Sequence, residues 1–221
     1  MKLRTPKHCR GFTLLEAIIV VVILFVLLAM LMPASHAYGK ARRISCVNNI
    51  KQIGLANWTW AEDHGRHFPS HASITNNDTI VSLSDGITPS RLALWNFLII
   101  SNELTTPKIL CCPADEENEQ AVRFDLNFGR TNVSYFVSPD ADTSLTNAIL
   151  DGDDNLAINN TPVNSGILSI PTNLPVTWTI ERHRKAGNIG LADGSAQQVT
   201  INGLQRALQQ TGFATNHLAI P

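Results

Sequence analysis

Charge is scarce in this sequence. Only 16% of the 221 residues are Asp, Glu, Lys or Arg, and they sum to a net charge of -1. That balance gives no electrostatic case for a nucleic-acid partner, and none is expected. Catalytic signatures are missing too. No nucleophile elbow, phosphate-binding glycine loop or paired-carboxylate motif stands out, so no enzymatic activity is expected. The chain has no internal repeat and no low-complexity tract. Asn, Thr and Ser are plentiful, which suits an extracytoplasmic head with long loops.

Polar side chains are absent altogether from residues 17–32, a run of sixteen. Counted from Leu14 the stretch is nineteen residues with one charge, Glu16. At a rise of ~1.5 Å per residue it approaches the ~30 Å of a bilayer core, so the sequence predicts a membrane-spanning helix. Lys2, Arg4, Lys7 and Arg10 precede the run. They should stay cytoplasmic and send the C-terminal part outward, although Lys40, Arg42 and Arg43 beyond the helix weigh the other way. A carboxylate near one end of a membrane helix costs a few kcal/mol unless it reaches the headgroups or finds a cation.

The segment Gly11-Phe12-Thr13-Leu14-Leu15-Glu16, behind a basic leader and ahead of an apolar run, closely resembles the processing site of type IV pilins and type II secretion pseudopilins. The resemblance implies cleavage after Gly11 by a prepilin peptidase and N-methylation of Phe12. It also implies pairing of Glu16 with the terminal amine of a neighbouring pilin or pseudopilin subunit during fibre assembly at the inner membrane. The competing reading is a secretory signal peptide, with Ser35-His36-Ala37 as the small-residue cleavage site. The length of the run and the interruption at Glu16 count against it.

Beyond Pro33 a helical pattern resumes. Ile44, Val47, Leu55 and Trp58 recur at helical spacings, and Ile50, Ile53 and Trp60 widen the same face. One helix is predicted from about 13 to about 63, kinked at Pro33 and stopped by Gly65 and Phe68-Pro69. Residues 42–56 resemble a planctomycete and verrucomicrobial branch of pseudopilin-like proteins. So do the Cys-Pro-Ala-Asp run from Cys112 to Asp115, Ser134-Tyr135, and His183 followed after nine residues by Asp193-Gly194.

A polar loop is predicted over 70–86. A helix capped by Thr88, with Pro89 in its first turn, should run to about Asn102. Strands are predicted over 131–137, 148–150, 166–170, 176–180, 188–192 and 196–201. Asp193-Gly194 should form a two-residue type I′ hairpin turn. A short helix over 203–210, capped by Asn202 and closed by Gly212, completes the pattern. The expected fold class is α+β and pilin-like: a long N-terminal helix laid on a small, mostly antiparallel sheet with loop insertions. The expected divisions are leader 1–11, transmembrane helix 12–32, amphipathic continuation 33–64 and extracytoplasmic head 65–221.

Three polar groups invite a ligand. Asp151, Asp153 and Asp154 in an acidic run read first as a solvated turn and second as a calcium site, since some pseudopilin heads bind calcium. His64, His67 and His71 lack a convincing zinc geometry. Arg182-His183-Arg184-Lys185 reads as a solvated loop, and His183 as a surface or packing histidine that could reach Asp193 only if Gly187 lets the chain fold back. No other cofactor is expected.

Four cysteines occur, Cys9, Cys46, Cys111 and Cys112, and Cys9 leaves with the leader. A Cys46–Cys112 disulfide is expected, Cys112 being chosen over Cys111 because it is the residue aligned by the Cys-Pro-Ala-Asp resemblance. It would add about 4 kcal/mol in the chain-entropy account. Two functional classes fit: a structural subunit of a type II secretion pseudopilus or type IV pilus-like fibre, or a membrane-tethered extracytoplasmic binding protein that uses a pilin-like anchor.

Overall fold

The computed structural model describes residues 12–30, 35–70 and 91–221. The chain divides after Tyr38 into two compact units. The described part of the first is dominated by helix α1, Leu14–Met30. Its side chains are exposed throughout, from Leu14 at 80% to Met30 at 79%. Among the described residues no helix is long and apolar enough to cross a membrane. α1 covers the described part of the predicted apolar stretch from Leu14, and residues 31–34, with Pro33, lie outside the described residues.

Helix α2, Ser35–Asp63, ends where Gly65 (φ 73°) and Arg66 (φ 65°) turn the chain left-handed. Its buried stripe is Cys46, Ile50, Ile53, Ala56 and Trp60, at the three-to-four residue spacing of one helix face. Ile44 (57%) and Leu55 (66%) are exposed, so the predicted face was too wide. Helix α3, Leu92–Ile99, buries Leu92, Ala93 and Phe97 against the same core. The predicted cap at Thr88 and residues 71–86 of the loop predicted over 70–86 fall outside the described residues; Ser70, the first of that loop, is instead buried, its hydroxyl donating to Ser138 O at 3.0 Å.

The sheets are built from β1 (Tyr135–Val137), β2 (Ile149–Asp153), β3 (Leu156–Ile158), β4 (Thr161–Pro162), β5 (Gly166–Pro171), β6 (Val176–Trp178), β7 (Ala186–Leu191), β8 (Ala196–Thr200) and β9 (Thr215–Ile220). Six strands pair in the order β5-β9-β1-β2-β7-β8, and β4-β3-β6 form a second sheet. Every pairing is antiparallel. The fold class is therefore α+β, as the sequence predicts.

Strand alternation sorts the core into two sides. Tyr135 and Val137 join α2 and α3 on one face, and Phe136 points into the opposite cluster. That second cluster packs the sheet against β3, β6 and helix α4, Ile201–Gln210, through Leu204, Ala207 and Leu208. Helix α4 starts directly from β8. Its cap is Thr200, whose Oγ1 accepts from the Gly203 amide at 3.2 Å, and not the predicted Asn202. Gly212 follows with φ 81°.

Three strand expectations are corrected. Residues 130–132 form a short 3-10 turn because Asn132 Oδ1 accepts from the Gly129 amide, leaving only Tyr135–Val137 extended. Strand β9 runs along β1 and β5 where no strand was predicted. The β7–β8 hairpin has a three-residue loop. The Gly194 amide donates to Leu191 O at 2.9 Å and only Gly194 is left-handed (φ 82°), the pattern of a type I turn followed by a glycine bulge.

Candidate functional site

At the N-terminal end, the first turn of α1 carries its own cap. Glu16 Oε2 accepts from the Thr13 amide (2.8 Å) and the Thr13 hydroxyl (2.9 Å), and Thr13 Oγ1 accepts from the Glu16 amide (3.3 Å). This is a capping box, and Thr13-x-x-Glu16 is its sequence signature. Glu16 thus has a local role besides the headgroup or intersubunit contact expected from the sequence, and that signature is the signal that marks it. Phe12 is 73% exposed, and Gly11 lies outside the described residues.

In the head, sequence segments far apart in the chain converge beneath the surface. A disulfide joins Cys46 of α2 to Cys112, with Cα atoms 5.4 Å apart. The Cys112 amide donates to Ser134 Oγ at 3.0 Å, and Ser134 Oγ donates to Asp115 Oδ2 at 2.6 Å. Arg182 reaches the same carboxylate with Nη2 at 2.8 Å, donates from Nη1 to Ser134 O at 3.2 Å, and pairs with Asp154. The Cys-Pro-Ala-Asp run, Ser134 and the residue before His183 thus form one hydrogen-bonded network.

Arg182 corrects the expected solvated loop. Its side chain is 11% exposed and turns inward, while Arg184 and Lys185 stay exposed. The turn is left-handed at three successive non-glycine residues: His183 (φ 50°), Arg184 (56°) and Lys185 (62°). Each costs roughly 1–2 kcal/mol, so the surrounding contacts must hold the turn in place. They hold His183 buried, with Nε2 3.4 Å from Cys112 Sγ and 3.5 Å from Asp153 Oδ2. Burial and the neighbouring Arg43 and Arg182 pull the imidazole pKa down to about 4, so it is neutral at physiological pH.

The acidic run is also corrected. Asp151 and Asp153 lie in strand β2, not in a solvated turn, and both are fully buried on the face toward α2. Burial pushes Asp153 up to about 7, against the opposing pull of Asn188, whose amide and Nδ2 each donate to Oδ2 at 2.8 Å. Burial, together with Asp153, pushes Asp151 well above the ordinary carboxyl range. Asp154 faces Arg182 instead, so the three carboxylates do not gather into one loop site.

The two parts of the His-Asp-Gly signature serve different places. His183 packs on the disulfide. Asp193 and Gly194 edge an open groove on α2 floored by Leu55 and Trp58, and Trp58 Nε1 donates to Ala192 O at 2.8 Å. The other histidines do not converge. His64 stacks on Trp60 (3.9 Å), His67 pairs with Asp142 (2.6 Å), and His71 lies outside the described residues. Cys111 is buried, and desolvation raises its thiol pKa. Among the described residues, the metal-ligating atoms that cluster are Cys46 Sγ, Cys112 Sγ and His183 Nε2, all within 4.8 Å of one another.

No curated protein and no solved structure matches the chain. Two family models do. Residues 6–32 match the prokaryotic N-terminal methylation motif, which contains Gly11, Phe12 and Glu16. Residues 36–165 match the family described as "Protein of unknown function (DUF1559)", a span that takes in Cys46, Cys112, Asp115 and the buried acidic strand and ends before His183. With a prepilin-type N-terminus and more than half of its length inside that second match, the chain is a type IV pilin-like protein and belongs to the DUF1559 family.

Proposed function

We propose that the protein is a structural subunit of a type II secretion pseudopilus or type IV pilus-like fibre. It is made as a precursor, cut after Gly11 by a prepilin peptidase and methylated on the amine of Phe12. Before assembly it is held in the inner membrane by the apolar segment that includes α1, with the leader cytoplasmic and the head outside. The observation that carries this reading is the uncovered apolar surface of α1, which lies within the matched methylation motif. Side chains such as Leu14, Phe25 and Met30 stand out in solvent, and lipid or neighbouring subunits would cover them.

In the fibre, Glu16 meets the methylated amine of the next subunit. In the free chain the same carboxylate caps α1, so assembly exchanges a local hydrogen bond for a charge pair. Glu16→Gln separates the two roles, because glutamine can still serve in a capping box but carries no charge. The expected result is that Glu16→Gln and Glu16→Ala both remain in the membrane fraction and both drop out of purified fibres. Fibres that contain Glu16→Gln at wild-type levels would reject the charge pair.

The groove between α2 and the Asp193-Gly194 turn favours a second reading, a membrane-tethered binding protein with a pilin-like anchor. A tether has no use for the Glu16 charge and would retain its function in Glu16→Leu.

A further inference from the structure

The cluster around His183 has more ligating capacity than a disulfide uses. Cys46, Cys112 and Asp153 are each fully buried, and the His183 side chain is 1% exposed. His183 turns Nε2 toward both Cys112 Sγ and Asp153 Oδ2, at 3.4 and 3.5 Å. Tetrahedral zinc with ~2.0–2.3 Å bonds holds its ligand atoms roughly 3.3–3.8 Å apart, the range of these two separations. Asp153 Oδ1 has no hydrogen-bond partner, an orphaned acceptor in a buried site. Asn188 grips Oδ2 through two donors, as an outer partner does when it orients a metal-binding carboxylate. The strained turn at His183 fixes the imidazole here.

We infer that, when the Cys46–Cys112 bond is reduced, Cys46, Cys112 and His183 form a zinc(II) site that cross-links α2 to the head in place of the disulfide, with the Asp153 carboxylate, which lies outside their 4.8 Å cluster, turning in as the fourth ligand. A dithiol supplies the two electrons and two protons. Its own sulfurs join in a disulfide, the Cys46–Cys112 bond breaks, and two thiols form. Zinc then displaces both thiol protons, and the two sulfurs swing apart to about 3.8 Å as Zn–S bonds form. His183 Nε2 contributes its lone pair and Asp153 a carboxylate oxygen. Two thiolates and one carboxylate around the divalent ion leave one negative charge, beside the cationic Arg43 and Arg182 that act on His183. The disulfide is closed to solvent in the folded chain, so the dithiol acts on the unfolded chain, which takes the metal as it folds. Exchange with an oxidised dithiol takes the two electrons: its disulfide is reduced to two thiols with two protons from water, the Cys46–Cys112 bond re-forms, and the zinc ion is released.

The test uses the full chain in detergent, prepared reduced under a dithiol, desalted without oxygen and titrated with cobalt(II) as a spectroscopic stand-in and then zinc(II). The expected result is one equivalent of cobalt with sulfur-to-metal charge-transfer bands and the strong visible bands of a tetrahedral site, displaced by zinc. Cys111→Ser keeps the spectrum, and the oxidised chain does not give it. His183→Gln weakens binding by at least about a hundredfold, beyond the 10–100-fold typical of an outer-shell loss. Asp153→Asn alters the visible bands. Circular dichroism of each variant confirms folding, and the wild-type result stands without any variant. A reduced, folded wild-type chain that gives no thiolate–cobalt spectrum, or an unchanged spectrum in folded His183→Gln, overturns the site.

Discussion

Arg182 Nη2 lies 2.8 Å from Asp115 Oδ2, with the arginine side chain 11% exposed and the aspartate 1%. Through this contact the turn after β6 is tied to the loop that carries Cys112. Removing the arginine leaves Asp115 and Asp154 buried without their cation, a loss that typically costs about 3–5 kcal/mol. Arg182→Ala should lower denaturant stability by that order. Adding Asp115→Asn and Asp154→Asn to Arg182→Met should recover most of the loss. Chemical unfolding of the detergent-solubilised chain reads both, and an Arg182→Ala effect below about 1 kcal/mol would show that the pair is not a structural tie.

The buried acids give the disulfide form an unusual pH dependence. Folding raises the pKa of Asp153 to about 7 and that of Asp151 well above its ordinary value. The folded chain therefore keeps these protons after the unfolded chain has lost them near pH ~4, and stability falls as pH rises through that window. His183, lowered to about 4, acts in the opposite sense below its unfolded value of about 6.5, where stability rises with pH. Between about pH 4 and 6.5 the histidine offsets one of the two acids, and above about 6.5 the fall is unopposed. Thermal midpoints should drop from about pH 6.5 to about 8, with a shallower slope in Asp151→Asn. An unchanged slope in that variant would contradict the assignment.

Two glycines should respond with opposite signs. A Cβ at Gly187 would come 2.6 Å from Trp178 Cζ3, so Gly187→Ala should cost roughly 1–3 kcal/mol through overpacking. A Cβ at Gly54 within α2 meets nothing within 4 Å, so Gly54→Ala should add about 1 kcal/mol through helix propensity. Melting curves of the two variants check the pair, and shifts of the same sign would contradict it.

What the sequence disclosed follows from which interactions are local. The apolar period of α2, its stop after Asp63, and the strands from β5 to β8 are set by neighbours in sequence, and they were legible. Thr13-x-x-Glu16 is equally local and was overlooked in favour of the intersubunit role. Strand β9 has no strong alternation and owes its place to pairing with β5 and β1, so no local pattern marked it. The acidic strand misled because Asp151 and Asp153 look solvated in one dimension, and their burial depends on Asn188 and α2. Arg182 is the same case: its partners Asp115 and Asp154 come from other parts of the chain. The family resemblance marked Cys112–Asp115, Ser134 and His183 without saying that they meet.

Intact-mass spectrometry of the protein purified from its native membrane decides whether the chain is a processed pilin-like subunit. Processing gives a polypeptide that begins at Phe12 with one added methyl on its terminal amine. A chain that begins at Tyr38, or one that retains Met1 in cells with an active prepilin peptidase, would contradict it.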